Sequence, residues 1–283
     1  MPKPGVHLCS IIRFQNDAYH PTDDLVVVEE PLEIRIGYGA AHQRLQKRIS
    51  VTMRTPGNDF ELALGFLYTE KIIDHADHIQ SIKYCTEAQS IEANENIVRV
   101  ELKPDVTFDS SALQRNFYTT SSCGICGKES IEAVKLQCQA IQLDTPFSIT
   151  SEYILALPQL LNNAQQVFKH TGGLHACGLF NSQQELLLLR EDIGRHNALD
   201  KLIGAAIVKN NEWLKQGVLL LSGRAGFELI QKAAVAGIPC ICSVGAPSSL
   251  TVDTAKALGI TLIGFLKNDR FNVYNDSLQL LKK

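Results

Sequence analysis

The sequence predicts an α/β protein (α+β taken over the whole chain) in two unequal parts. Three observations predict it. Short apolar runs, such as Val218-Leu219-Leu220-Leu221, alternate with segments of helical period between residues 197 and 266. The first hundred residues show period two instead, as in Leu32-Glu33-Ile34-Arg35-Ile36 and Ile49-Ser50-Val51-Thr52-Met53. Between the two patterns lies a stretch of small residues that can add little to a core, Thr119 to Gly127. The predicted layout is a strand-rich N-terminal domain at 1–120, a mobile cysteine loop at 121–127, and a larger α/β domain at 128–283.

Taken in order, residues 6–14, 25–36 and 45–53 read as antiparallel strands. Arg54-Thr55-Pro56-Gly57 is a turn, and Asn58 with Glu61 has the form of a capping box. Phe60, Ala63, Leu64 and Leu67 then recur at helical spacing, which predicts a helix over 59–71. Residues 79–86 and 96–102 read as two further strands joined by a Glu- and Asn-rich loop. Beyond the cysteine loop, helices are expected at 128–140 and 151–170, and a hairpin at 174–180 and 185–190. A helix at 197–209 and a strand at 218–221 follow. After them come helix 225–236, strand 239–244, helix 250–258 and strand 260–266.

The whole chain narrows the function classes. It has 283 residues, 45% of them hydrophobic, enough for a substantial core. A net charge of −3 gives no basic excess for bulk nucleic acid or an anionic membrane. No apolar run reaches spanning length, and the first residues lack a signal-peptide core, so a cytoplasmic protein with reduced thiols is expected. Of the eight cysteines, Cys9, Cys85, Cys138 and Cys240 sit among apolar residues and read as buried.

Cys123 and Cys126 are different. Ser121-Ser122-Cys123-Gly124-Ile125-Cys126-Gly127 reads as a loop that presents sulfur. The helix expected at residue 128, together with Lys128, favours thiolate at Cys126. Such a pair fits half of a structural zinc site, a dithiol redox couple, or a sulfur-carrying nucleophile. No second Cys-x-x-Cys exists to complete a zinc ribbon. His175 with Pro239-Cys240-Ile241-Cys242 faintly echoes the zinc deaminase pattern. Cys177 stands where the catalytic Glu belongs, however, and the later cysteines are one residue too close. No metal is expected.

Two further loops fall between a strand and a helix: Ser222-Gly223-Arg224-Ala225-Gly226 and Gly245-Ala246-Pro247-Ser248-Ser249. Both would set backbone N–H groups at the carboxyl end of a strand, where open sheets bind phosphate, although ordinary turn chemistry reads equally well for either alone. Glu191 to Asn197 is a third polar loop, with a solvated helix start as the bland alternative.

These segments together resemble the formate dehydrogenase accessory sulfurtransferase family. The resemblance is carried by Arg54 to Asp59 with Ala63 to Leu67, by Ser121 to Gly127, and by Gly172 to Gly178. It continues through Arg190 to Ala198 with Asp200-Lys201, Ser222-Gly223-Arg224, Gly245 to Ser249 and Gly264-Phe265-Leu266. It implies a C-terminal part similar to the cytidine deaminase fold. It implies sulfur transfer from a cysteine desulfurase to the molybdenum (or tungsten) bis-guanine-dinucleotide cofactor of formate dehydrogenase, in a homodimer. Cys123 takes the position of the persulfide carrier, with Cys126 beside it. The cofactor-contacting segment maps onto Phe265, Leu266, Lys267, Asn268, Asp269 and Arg270. Lys267, Arg270 and Arg224 would pair with phosphate, with GDP or GMP as partial mimics. Asp192 is the expected acceptor for the guanine N1 and N2 protons. A zinc-binding module and a non-catalytic cofactor chaperone remain the alternative readings.

Overall fold

The computed structural model describes residues 5–85, 95–108, 132, 140–143 and 147–282. Cys123, Cys126, Cys138, the cysteine loop and nearly all of the helix expected at 128–140 lie outside them, as does the proposed boundary between the two parts.

Three sheets are present among the described residues. The first is an isolated hairpin of β1 (Val6–Gln15) and β2 (Ala18–Val27). Its turn is Asn16-Asp17, both with positive φ, the conformation that two-residue hairpin turns require. The second sheet has the order β4 (Leu45–Arg54), β3 (Glu30–Tyr38), β6 (Ile97–Leu102), β5 (Ile79–Tyr84). The expected single strand at 25–36 is thus the end of one strand and the start of another. The chain passes from the first sheet to the second at Val28-Glu29.

Helix α1 (Asp59–Thr69) covers this sheet with Leu62, Ala63, Leu64 and Leu67 against Leu32, Ile34, Ile36, Val98 and Val100. The expected capping box does not form. Asn58 is left-handed at φ 57 and its side chain caps nothing. The reason is competition: Arg54 draws Asp59 inward and Glu61 pairs with Arg190.

The third sheet has six strands in the order β12 (Asn272–Asn275), β11 (Thr261–Gly264), β10 (Cys240–Ser243), β9 (Val218–Leu221), β7 (His175–Phe180), β8 (Leu186–Asp192). β9, β10 and β11 run parallel, and β7, β8 and β12 pair antiparallel. On one face pack α4 (Arg195–Lys209), α6 (Phe227–Val235) and α7 (Ser249–Leu258), with the short α5 (Glu212–Lys215) alongside. On the other face α2 (Ser151–Ala164) buries Tyr153, Ile154, Leu157 and Leu161. Helices on both faces are the layering that the apolar runs predicted.

The helix expected at 151–170 is two helices. Gln165, at ψ 85, breaks it before α3 (Gln166–Thr171), and its amide reaches Glu191 instead. Sequence reading also passes over β12, a short strand with little apolar signal.

The two parts meet along α1 and α4. A Cβ on Gly65 would fall 1.9 Å from the carbonyl oxygen of Asp200, and one on Gly204 2.0 Å from that of Glu61. Only glycine lets two helix backbones approach so closely.

Candidate functional site

Two polar regions flank the large sheet, and they differ in what their side chains already hold. The first is the junction. Arg54, 1% exposed, forms a bidentate pair with Asp59 at 3.1 and 2.8 Å and also reaches Asn96. Tyr84 donates to the same carboxylate, and its hydroxyl pKa is pushed up to about 12 by burial and then by Asp59. Lys201 pairs with Asp192 at 2.7 Å and donates to the carbonyl of Thr55. Lys232 lies between Asp200 and Glu70, both at 2.9 Å, and bonds Thr69. Burial pushes the Asp200 carboxyl up, against the pull of Lys232. The Lys232 ammonium rises because the two carboxylates outweigh its own desolvation.

Asp192 belongs to this junction, which corrects the expectation for it. It is 0% exposed, and it accepts from Thr55 N, Gly194 N and Asn197 Nδ2 besides Lys201. A carboxylate so enclosed and so fully bonded has no lone pair to offer a guanine. The strand-end position of Asp192 explains why it read as an exposed loop residue: it turns inward.

The second region is the carboxyl edge of β9, β10 and β11. The three loops that follow these strands are laced by backbone bonds: Gly245 N to Gly223 O, Ser248 N to Ala225 O and Phe265 N to Gly245 O, at 3.0 to 3.2 Å. A Cβ on Gly245 would meet the backbone of Arg224 at 3.0 Å, so the first two loops touch. The structure therefore brings Ser222, Gly223, Arg224, Gly245, Ser248, Ser249 and the 265–270 segment onto one rim. His175, at the start of β7, joins it, with its imidazole 3.2 Å from where a Gly223 Cβ would stand. Burial, and then the neighbouring Arg195, push the His175 pKa down. Both His175 and Arg195 are rim groups that the sequence did not single out for ligand contact. Their signal, a strand start opposite a glycine loop and a cation opening a helix, is visible only in three dimensions.

Not every expected residue is free to meet a ligand. Ser222 Oγ accepts from Ala176 N, tying β7 to β9. Ser248 caps α7 by accepting from Thr251 N. Leu266 is 0% exposed and anchors its loop in the core through its amide to Ser243 O. By contrast Arg224, Ser249, Lys267, Asn268, Asp269 and Arg270 are all exposed. Phe265, nearly half exposed, sits at φ 52, a left-handed conformation uncommon for a bulky residue. Such strain is kept where neighbours hold it, here the bond to Gly245.

The remaining cysteines divide by depth. Cys85, Cys177, Cys240 and Cys242 are buried. Cys9 is not, which corrects its expected burial: it lies on the free hairpin. The Cys177 thiol is pushed far up by burial and then by Asp200 and Asp192. That of Cys240 is pushed up by its bond to Cys242 and by burial. Cys177 packs on one face of the sheet, and Cys240 and Cys242 on the other. The faint deaminase set therefore does not converge. Among the described residues no group of three or more His, Cys, Asp or Glu side chains is placed to hold a metal ion.

A family profile described as "FdhD/NarQ family" matches residues 27–281. The chain belongs to the FdhD/NarQ family. Among its relatives is the sulfur carrier protein FdhD of Streptomyces avermitilis, 47% identical over 266 residues that cover 93% of this chain and 92% of that protein. The protein of the same name from Thermoplasma volcanium is 40% identical over 272 residues, 95% and 94% of the two chains. A crystal structure from Desulfotalea psychrophila, described as that of a formate dehydrogenase accessory protein, has the same fold. Its TM-score is 0.73 at 23% identity, over 99% of this chain and all of that one. The fold of the family is thus that of a six-stranded sheet between helices, with the four-stranded sheet and α1 docked on its side.

Proposed function

We propose that this chain is a sulfur carrier that serves the maturation of a formate dehydrogenase in the cytoplasm. The observation that carries the reading is the 40–48% identity, over about nine-tenths of the chain or more, to proteins named sulfur carrier protein FdhD. Four of the five described cysteines are buried, where a persulfide carried by another protein does not reach them. Cys123 of the Cys-x-x-Cys pair is the proposed carrier.

The Cys123 thiolate attacks the outer sulfur of a persulfide on a cysteine desulfurase. The S–S bond of the donor breaks, and the donor leaves as a thiolate. Attack of the Cys126 thiolate on the inner sulfur then releases hydrosulfide and closes a Cys123–Cys126 disulfide. The two electrons that the sulfane sulfur needs thus come from the thiol pair. The sulfide so released is suited to become a ligand of the molybdenum or tungsten in the bis-guanine-dinucleotide cofactor.

The proposed seat for the dinucleotide arms is the carboxyl rim of β9 to β11, with Arg224, Lys267 and Arg270 facing phosphate. The N-termini of α6 and α7 lie at the same edge. The working unit is proposed to be a homodimer.

The deciding experiment is peptide mass mapping after incubation with a cysteine desulfurase and free cysteine. One added sulfur atom on the Cys123 peptide is expected. Sulfur on Cys9 with Cys123 unmodified would overturn the assignment.

A further inference from the structure

The N-terminal hairpin is out of keeping with the rest of the fold. Not one residue of β1 or β2 is buried, and among the described residues neither strand pairs with any strand but the other. A lone two-stranded hairpin is marginal in water and needs a third layer. Its base has one: Val27 lies against Gly173, just beyond α3. Ten residues at about 3.4 Å each then carry it roughly 34 Å from base to tip.

The register sorts the side chains. Directly opposed residues share a face, so one face carries Val6 with Val27, Leu8 with Leu25, Ile12 with Pro21, and Phe14 with Tyr19. The only polar pair on it is Ser10 with Asp23, and Ser10 Oγ donates to the Asp23 carboxylate at 2.8 Å. The opposite face is mixed: it carries His7 with Val26, Cys9 with Asp24, Ile11 with Thr22, Arg13 with His20 and Gln15 with Ala18. Both faces are wet in a single chain, the apolar one included. Leu8 is 61% exposed, Ile12 70%, Phe14 59% and Tyr19 75%. The Phe14 and Tyr19 rings lie 5.1 Å apart, forming a continuous apolar tip.

We propose that this face seats the same face of a second copy, hairpin against hairpin, and so forms the two-copy unit; this rests on the homodimer put forward above. Three features favour a second copy. The surface is an apolar ladder, and like faces of two copies can meet about a two-fold axis. Its one polar pair is joined internally, Ser10 Oγ to the Asp23 carboxylate, so each copy brings that pair to the seam already bonded. The area also suffices. At roughly 100 to 150 Å² for each of the four most exposed residues, two copies bury about 1,000 Å² before their neighbours are counted, the threshold for a stable interface.

The test is sedimentation equilibrium on the full chain, with three proteins compared. The native chain is expected to be a dimer. The double variant Ile12→Asp, Phe14→Asp is expected to raise the dimer dissociation constant ~100-fold or more, because it charges four central positions. The variant Arg13→Glu, His20→Glu, on the other face, is expected to leave it unchanged. A native chain that sediments as a monomer removes both the two-copy unit and this surface. A native dimer that survives the Ile12 and Phe14 changes removes the surface alone. A photo-crosslinking residue at Tyr19 gives a readout that needs no destabilising change. It should join Tyr19 to the hairpin of another chain, and links only within one chain, for instance to residues 109–131, overturn the proposal. Sulfur loading of Cys123 is measured in parallel and fails or succeeds independently.

Discussion

The junction between the two parts and the rim of the large sheet are written in the same alphabet. Both use Arg, Asp, Lys, Ser and Gly at the ends of strands. In the junction nearly every charge is spoken for: Arg54 by Asp59, Lys201 by Asp192, Lys232 by Asp200 and Glu70, Arg190 by Glu61. On the rim, Arg224, Lys267 and Arg270 stand in solvent. The difference teaches what a polar motif is for. A saturated, buried motif holds two elements together, and an exposed set of cations on a rigid rim is available for a ligand. The Arg54-to-Asp59 and Arg190-to-Lys201 stretches, far apart in sequence, are two sides of one lock: Thr55 donates to Asp192 and accepts from Ile193 N.

If that division is right, the largest effect comes from forcing the junction apart. Gly65→Val would drive a side chain into the Asp200 backbone. A loss above about 4 kcal/mol is expected, enough to abolish soluble protein at 37 °C. On the rim, Gly226→Ala meets nothing within 4 Å and should cost only about 1 kcal/mol or less, the loss of a glycine N-cap. Urea unfolding of both reads the contrast. A stable Gly65→Val protein would mean the helices are free to separate.

Next in size is Lys201→Met. It leaves Asp192 charged and enclosed, a cost of about 3–5 kcal/mol. Adding Asp192→Asn should recover part of it, because the stranded charge goes too. If the single and double variants unfold at the same urea concentration, the pair is not the unit that matters.

How much of this could be read beforehand follows from what sequence encodes. Val218–Leu221 was legible as a buried strand because an uninterrupted apolar run has few other uses. The segment Ala18 to Asp24 was not, since His, Pro and two Asp residues hide a strand whose only signal is its partner across the ladder. The rim loops were legible because Gly and Ser between a strand and a helix imply a turn at the sheet edge. Asp192 was misread because a capped loop carboxylate and a buried one differ only in the position of Lys201 and Thr55, and sequence does not give positions. The break at Gln165 depends on a tertiary bond to Glu191, which helical periodicity cannot show.

A smaller effect tests the rim itself. Ser248 is a cap in this structure, so Ser248→Ala should cost about 1 kcal/mol in urea unfolding. If capping is its whole role, affinity for GDP stays unchanged. A loss of GDP binding without loss of stability would make Ser248 a phosphate ligand and move the seat toward α7.

The smallest change in stability should accompany the clearest change in binding. Arg270 is exposed, and its carbonyl accepts from Lys267 N. Arg270→Ala keeps that bond, so unfolding should shift by no more than about 0.5 kcal/mol. A guanidinium facing a pyrophosphate makes charge-assisted hydrogen bonds, and losing them costs roughly 1.5 kcal/mol or more, about ten-fold in affinity. Calorimetric titration of the native chain and Arg270→Ala with GDP measures this directly, and ADP serves as the control. Arg270 faces the phosphates, which GDP and ADP share, so both nucleotides should weaken by the same factor. An Arg270→Ala protein that binds GDP as the native chain does would free the rim of this role. It would leave the exposed cations without a ligand and place the dinucleotide elsewhere on the molecule.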